Sequence, residues 1–95
     1  LYTDLGLFTC DPAVTDDVVH LFNLLTGRSL KTSYNRLLVA PATMKRTFLD
    51  LIAREAAVAR EHAAGRAAVG GRIVAKMNAL QDDQVIEALH DASRA

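Results

Sequence analysis

Apolar residues fall along the chain in two ways, as short runs and as sets at helical spacing. Leu1 to Thr9 carries Tyr2, Leu5, Leu7, Phe8 and Thr9, strand-prone residues in imperfect alternation, and Asp11-Pro12 breaks the run. Val18, Leu21, Phe22 and Leu25 then recur at helical spacing. Thr15 before Asp16 and Asp17 reads as an N-cap followed by acids in the first turn, and Gly27 fits the position just past the helix end. Leu37-Leu38-Val39-Ala40, stopped by Pro41, reads as a strand buried on both faces. Thr43 can cap a second helix. Its inner face is Met44, Phe48, Leu51 and Ile52, extending through Ala56 and Ala59, and Ala, Arg and Glu carry it on propensity to about Ala64. Gly65 to Gly71 is a small-residue loop, and Arg72-Ile73-Val74-Ala75-Lys76 reads as a third strand. Asp82 and Asp83 open a last helix with Val85, Ile86 and Leu89 inward.

From Leu37 onward the order is strand, long helix, strand, helix. Such a βαβα unit implies an α/β fold with a parallel sheet and a right-handed crossover. The strand and helix before it look like the end of a different unit. Between them, Arg28 to Arg36 is polar and cationic, with Arg28, Lys31 and Arg36. This places a domain junction near Asn35-Arg36, with residues 1–36 closing one domain and 37–95 opening the next. The start at Leu1 and the uncapped helical end at Ala95 read as a segment of a longer protein.

Composition narrows the function. The 95 residues are 51% hydrophobic and 23% charged, and eleven Lys and Arg balance eleven Asp and Glu. A dedicated nucleic-acid or anionic-membrane binder would show a basic excess. One cysteine, Cys10, makes no internal disulfide, so a disulfide-stapled secreted scaffold is excluded and a reducing cytoplasmic setting is the default. No apolar run approaches the roughly 20 residues of a membrane span, and no stretch reads as the basic region and apolar core of a signal peptide. Sixteen alanines, no Trp, three Phe and two Tyr leave little bulk for a core.

The candidate chemistry is sparse. Gly70-Gly71 lacks the Gly-Lys-Ser/Thr that follows in a phosphate-binding loop. His20, His62 and His90 sit mid-helix, far apart and without metal-ligand spacing, and read as solvated or half-buried. Asp11 beside Cys10 disfavours a reactive thiolate. The pairs Asp16/Asp17 and Asp82/Asp83 are better explained by helix starts than by metal or acid–base chemistry. Lys76 and Asn78 stand out. They follow the third strand, where ligands of open α/β sheets bind, and residues two apart in an extended segment share a side. A point charge and an amide would suit an anion. The competing reading has Lys76 solvated and Asn78 capping a turn. Tyr2-Thr3-Asp4 is a polar trio at a strand start and alone carries no assignment.

These residues also form a family pattern. Leu1-Tyr2-Thr3-Asp4-Leu5-Gly6-Leu7-Phe8-Thr9 resembles the segment of bacterial polyphosphate kinases directly after their His-x-Gly-Thr-Gly-Asn motif. Asp16-Asp17-Val18 through Leu21-Phe22-Asn23-Leu24-Leu25-Thr26-Gly27 is similar to the family's next helix. Leu37-Leu38-Val39-Ala40-Pro41, Arg54-Glu55 and Ile73-Val74-Ala75-Lys76-Met77-Asn78-Ala79-Leu80 are similar to the elements that follow. The likeness covers nearly the whole chain, and only the loop from Ala63 to Gly71 departs in length.

The resemblance implies reversible transfer of the terminal phosphate of ATP to inorganic polyphosphate, through a phosphohistidine and with Mg2+. It implies two phospholipase D-like catalytic domains with the active site between them, this segment ending one and starting the other. The phosphate-accepting His lies upstream, so no catalytic residue and no metal ligand falls in these 95 residues. Of the family's nucleotide-binding residues, Tyr2 is the one that maps here. Lys76 and Asn78 become candidates for polyphosphate. The implied partners are ATP or ADP and polyphosphate, with no nucleic acid and no membrane span, and the full-length protein is expected to be a homo-oligomer. The alternatives are a phospholipase D-like phosphodiesterase, whose His-x-Lys-x4-Asp pattern is missing, and a non-catalytic interaction module.

Overall fold

A computed structural model describes residues 4–30, 33–41 and 43–95. Among the described residues three helices follow one another: α1 (Pro12–Leu25), α2 (Met44–Ala63) and α3 (Asp83–Ser93). The chain divides into two compact units, Leu1–Met44 and Lys45–Ala95.

Helix α1 starts earlier than its apolar spacing suggests. Asp11 is the N-cap, its side chain accepting the Ala13 N–H at 2.9 Å, and Pro12 opens the first turn. Proline at that position has no N–H to lose and a φ already suited to the helix. Asp11-Pro12 therefore ends an extended run and begins a helix at once, and Thr15 is not the cap. At the other end Gly27 takes φ 74°, with the Gly27 N–H donating to Leu24 and the Arg28 N–H to Asn23. These two bonds close a Schellman motif, which requires the left-handed conformation that glycine adopts without penalty. Helix α2 ends in the same way at Gly65, φ 75°, with Gly65 N–H to His62 and Arg66 N–H to Glu61. Helix α3 is capped by Asp82, whose carboxylate accepts the Val85 N–H at 3.0 Å.

The α/β, parallel-sheet, phospholipase D-like expectation is overturned: no strand occurs among the described residues. Each of the three runs has its own physical reason. Residues 4–9 are exposed, Phe8 completely, and 1–3 lie outside the described residues. In the second run, the Leu37 N–H is taken by the Asp17 carboxylate and the Val39 carbonyl accepts the Thr43 N–H in a turn, so ladder groups are already engaged. In the third, Arg72 gives its N–H to Glu55, and Lys45–Ala95 contains no second strand-like run to pair with. Apolar β-prone residues make a strand only when a neighbour completes the ladder.

The core of the second unit is small. Ile52 and Ala56 on α2 are buried at 8% and 7% exposure, while Phe48 and Leu51 stay partly open. Beside them α3 presents Val85, Ile86 and Leu89, all half-buried. An ion pair from Lys45 Nζ to Asp82 Oδ2 at 2.8 Å ties the start of α2 to the start of α3.

Candidate functional site

The segment 72–80 lies over α2 and α3 and forms a cleft with them. Three contacts hold the chain that leads into it. Arg66 forks onto Glu61 through Nε and Nη2 at 2.6 and 2.8 Å. The Ala67 carbonyl lies 2.9 Å from His62 Nδ1. The Arg72 N–H donates to Glu55 Oε2 at 2.9 Å. Gly71 packs so closely on α2 that a Cβ there would overlap the Glu55 carbonyl oxygen. The small-residue loop is thus folded back onto α2 by the helix side chains Glu55, Glu61 and His62, which meet two of its backbone groups and the Arg66 guanidinium.

The larger cavity has a volume of about 790 Å3. Its walls are mostly apolar, with Phe48, Leu51 and Ile52 from α2, Val74, Met77 and Leu80 from the segment, and Val85 and Leu89 from α3. Charge enters through Glu55, Arg72, Lys76 and Asp82. A second cavity of about 370 Å3 lies along Ala56, Ala59, Gly71, Leu89 and Ala92.

Lys76 lines the larger cavity and is exposed. Asn78 is exposed at a bend and is not among that cavity's lining residues. Tyr2 lies outside the described residues. His20 is half-buried, while His62 and His90 are exposed. Cys10 is an exposed free thiol. Among the described residues no three His, Cys, Asp or Glu side chains gather to hold a metal ion, and no helix is long and apolar enough to cross a membrane.

Two carboxylates are electrostatically tuned. The Lys45 ammonium, bonded to Asp82, holds that carboxyl below its ordinary value, and the Val85 N–H adds to the effect against the opposing cost of burial. The guanidinium of Arg66 lowers Glu61 in the same way. The reading of Asp82 as a helix-start acid fits this geometry. The reading of Asp16 and Asp17 as first-turn acids does not, because α1 begins at Pro12. Asp17 is instead fully buried, and its carboxylate accepts backbone N–H groups from Asn35, Arg36 and Leu37. The sequence does carry a signal for this. Asp17 shares a helix stripe with Val14, Leu21 and Leu24, and a charge on an apolar stripe must be partnered.

Comparison with known proteins gives the family. The model of the polyphosphate kinase C-terminal domain 2 matches residues 37–95. Polyphosphate kinases from Synechocystis sp. and Mycobacterium tuberculosis are each 50% identical over all 95 residues, and that of Prochlorococcus marinus is 51% identical over 94 residues, or 99% of the chain. The chain spans 12% of the length of each of these relatives. No solved structure matches it. The resemblance drawn from Tyr2-Thr3-Asp4 through Ala79-Leu80 is therefore borne out, and the chain belongs to the polyphosphate kinase family, with residues 37–95 in its C-terminal domain 2.

Proposed function

We propose that the chain is part of an enzyme that reversibly transfers the terminal phosphate of ATP to inorganic polyphosphate. One observation carries this reading: about half of the residues are identical, along the entire chain, to proteins named polyphosphate kinase in cyanobacteria and mycobacteria. The covalent step belongs to a phosphohistidine outside these 95 residues. None of His20, His62 and His90 takes its place, since the phosphate-accepting histidine that the resemblance implies lies upstream of this segment and none of the three falls on its position. Mg2+ accompanies the nucleotide phosphates. The described residues gather no donor set for it, so no metal-dependent step is assigned to them.

Within this reading Tyr2 contacts the nucleotide, through its ring face or its hydroxyl. Lys76 and Asn78 contribute to polyphosphate binding, and the exposed ammonium of Lys76 at the cleft, on the same segment as Arg72, supports its part. The division at Arg36-Leu37 is supported by the start of the matched family domain at Leu37. The full-length protein works in the cytoplasm as a homo-oligomer.

The test is an assay of the full-length protein with ATP and polyphosphate, read as ATP-dependent chain growth and as ADP-dependent ATP formation. Both should be present, and the excised 95 residues should show neither. A full-length protein inactive in both directions refutes the reading.

A further inference from the structure

Asp17 is 0% exposed, and its carboxylate closes on a stretch of chain 18 to 20 residues away. Oδ1 accepts the Asn35 N–H at 3.1 Å, and Oδ2 accepts the Arg36 and Leu37 N–H groups at 2.5 and 3.0 Å. Successive backbone N–H groups turned to one side form a concave seat for an anion. Here the seat is filled from within the chain by a side chain of α1. A buried carboxylate is tolerated only when its lone pairs are occupied, and buried N–H groups only when they donate, so the two needs meet in one contact. The position matters because Leu37 is the first residue of the matched family domain.

We infer that Asp17 is a latch: its carboxylate fixes the path of the chain at residues 35–37, where it passes from α1 into the polyphosphate kinase domain. Asp17 is thereby a positioning residue. It acts through the backbone it holds, and nothing else on α1 bonds this stretch in its place among the bonds described. Asp16, its neighbour, is exposed and takes no part.

The latch differs from a packing role in what can replace it. Leucine is close in size and apolar, and often substitutes for a buried charge that serves only to fill space. In a latch it orphans every N–H of the seat. Asparagine keeps one acceptor oxygen but aims an amide N–H₂ at a donor.

Amide hydrogen exchange on the full-length protein separates these cases. In Asp17→Leu and Asp17→Ala, amides 35–37 should lose protection about tenfold or more, as befits lost bonds to a charged acceptor. Asp17→Asn should fall between these and wild type, and Asp16→Asn should match wild type. Amides of α1 and α3 should keep their protection in all four. Wild-type protection of 35–37 in Asp17→Asn together with Asp17→Leu overturns the latch. So does protection lost equally along α1, because Asp17 would then hold the unit and not the connection. Only the consequence for phosphoryl transfer rests on the kinase reading. ATP-dependent chain growth should fall in Asp17→Asn and Asp17→Ala and be normal in Asp16→Asn. Opened amides with unchanged turnover remove Asp17 from the positioning of the reaction. Absence of turnover in wild type instead sinks the kinase reading and leaves the exchange result standing.

Discussion

Two adjacent glycines, Gly70 and Gly71, have the same composition and opposite expected sensitivity. A Cβ added at Gly71 would overlap the Glu55 carbonyl oxygen and lie 3.2 Å from the Ala59 Cβ. Both obstacles belong to α2, and the oxygen is backbone, the acceptor of the helical bond from four residues on. Neither can rotate away, so the segment must lift off the helix. The Arg72 N–H to Glu55 bond, one residue on, is then the first to stretch. Overpacking of this kind costs about 1–3 kcal/mol. At Gly70 the added methyl would lie 3.2 Å from the His62 Cδ2, and the obstacle is an exposed ring that can give by a few tenths of an ångström. Replacing glycine by alanine without strain gains about 0.4–1 kcal/mol from the unfolded chain, so Gly70→Ala should be near neutral. The assay is hydrogen exchange at the Arg72 amide in the intact protein, which reads local opening. Gly71→Ala should lower protection there by about 5- to 150-fold, and Gly70→Ala by less than about threefold. Equal effects at the two positions, or wild-type exchange in Gly71→Ala, would refute the close-approach argument.

Further expectations concern charge and the proposed ligands. Asp82 is depressed in the folded chain by Lys45, so its contribution to the α3 start is present above the ordinary carboxyl value of 3.8 and is lost as pH falls through the lower folded value. A carboxyl 13C titration should give a midpoint below 3.8 that rises toward it in Lys45→Met, and an unmoved midpoint would separate the two residues. Lys76→Ala in the full-length enzyme should weaken polyphosphate binding and flatten its salt dependence through one fewer released counterion, whereas identical affinity at low and high salt would remove Lys76 from the site. Tyr2→Phe should raise the ATP requirement by roughly 2- to 150-fold if its hydroxyl meets the nucleotide, the range for neutral through charged hydrogen bonds. If the ring alone matters, Phe is tolerated and Ala is not, and wild-type nucleotide kinetics in both variants would sink the assignment.

What the sequence makes legible here is local. Apolar spacing and end signals locate all three helices, because a cap or a left-handed glycine acts within one turn of its own position. Gly27 and Gly65 both end helices through the same pair of bonds. The start of α1 is misplaced only because two local signals compete, Thr15 before two acids and Asp11 before a proline, and the proline prevails. The strands fail for the opposite reason. Leu37 to Ala40 and Ile73 to Lys76 have the residues of strands, but a strand is a relation between two segments. Asp17, Thr43 and Glu55 occupy the backbone groups that pairing would need or the groups next to them.

The same distinction separates the family from its site. Family membership is carried by many residues, each contributing a little, so it survives the loss of the sheet on which the first reading of Lys76 and Asn78 leaned. The site rests on a few residues and on their mutual geometry. Lys76 keeps an argument without the strand, because its ammonium joins Arg72 at a mostly apolar cleft lined also by Phe48, Met77 and Leu80, whatever the backbone does around it. Asn78 loses the argument from shared strand faces, since it lies at a bend. Asp17 shows the converse. Its role depends on a contact 18 to 20 residues away, yet it leaves a mark in the one-dimensional pattern, a carboxylate where the stripe of Val14, Leu21 and Leu24 calls for a hydrocarbon. A residue that violates its local pattern must be stabilised by something distant, and the violation is where a long-range contact first becomes visible in the sequence.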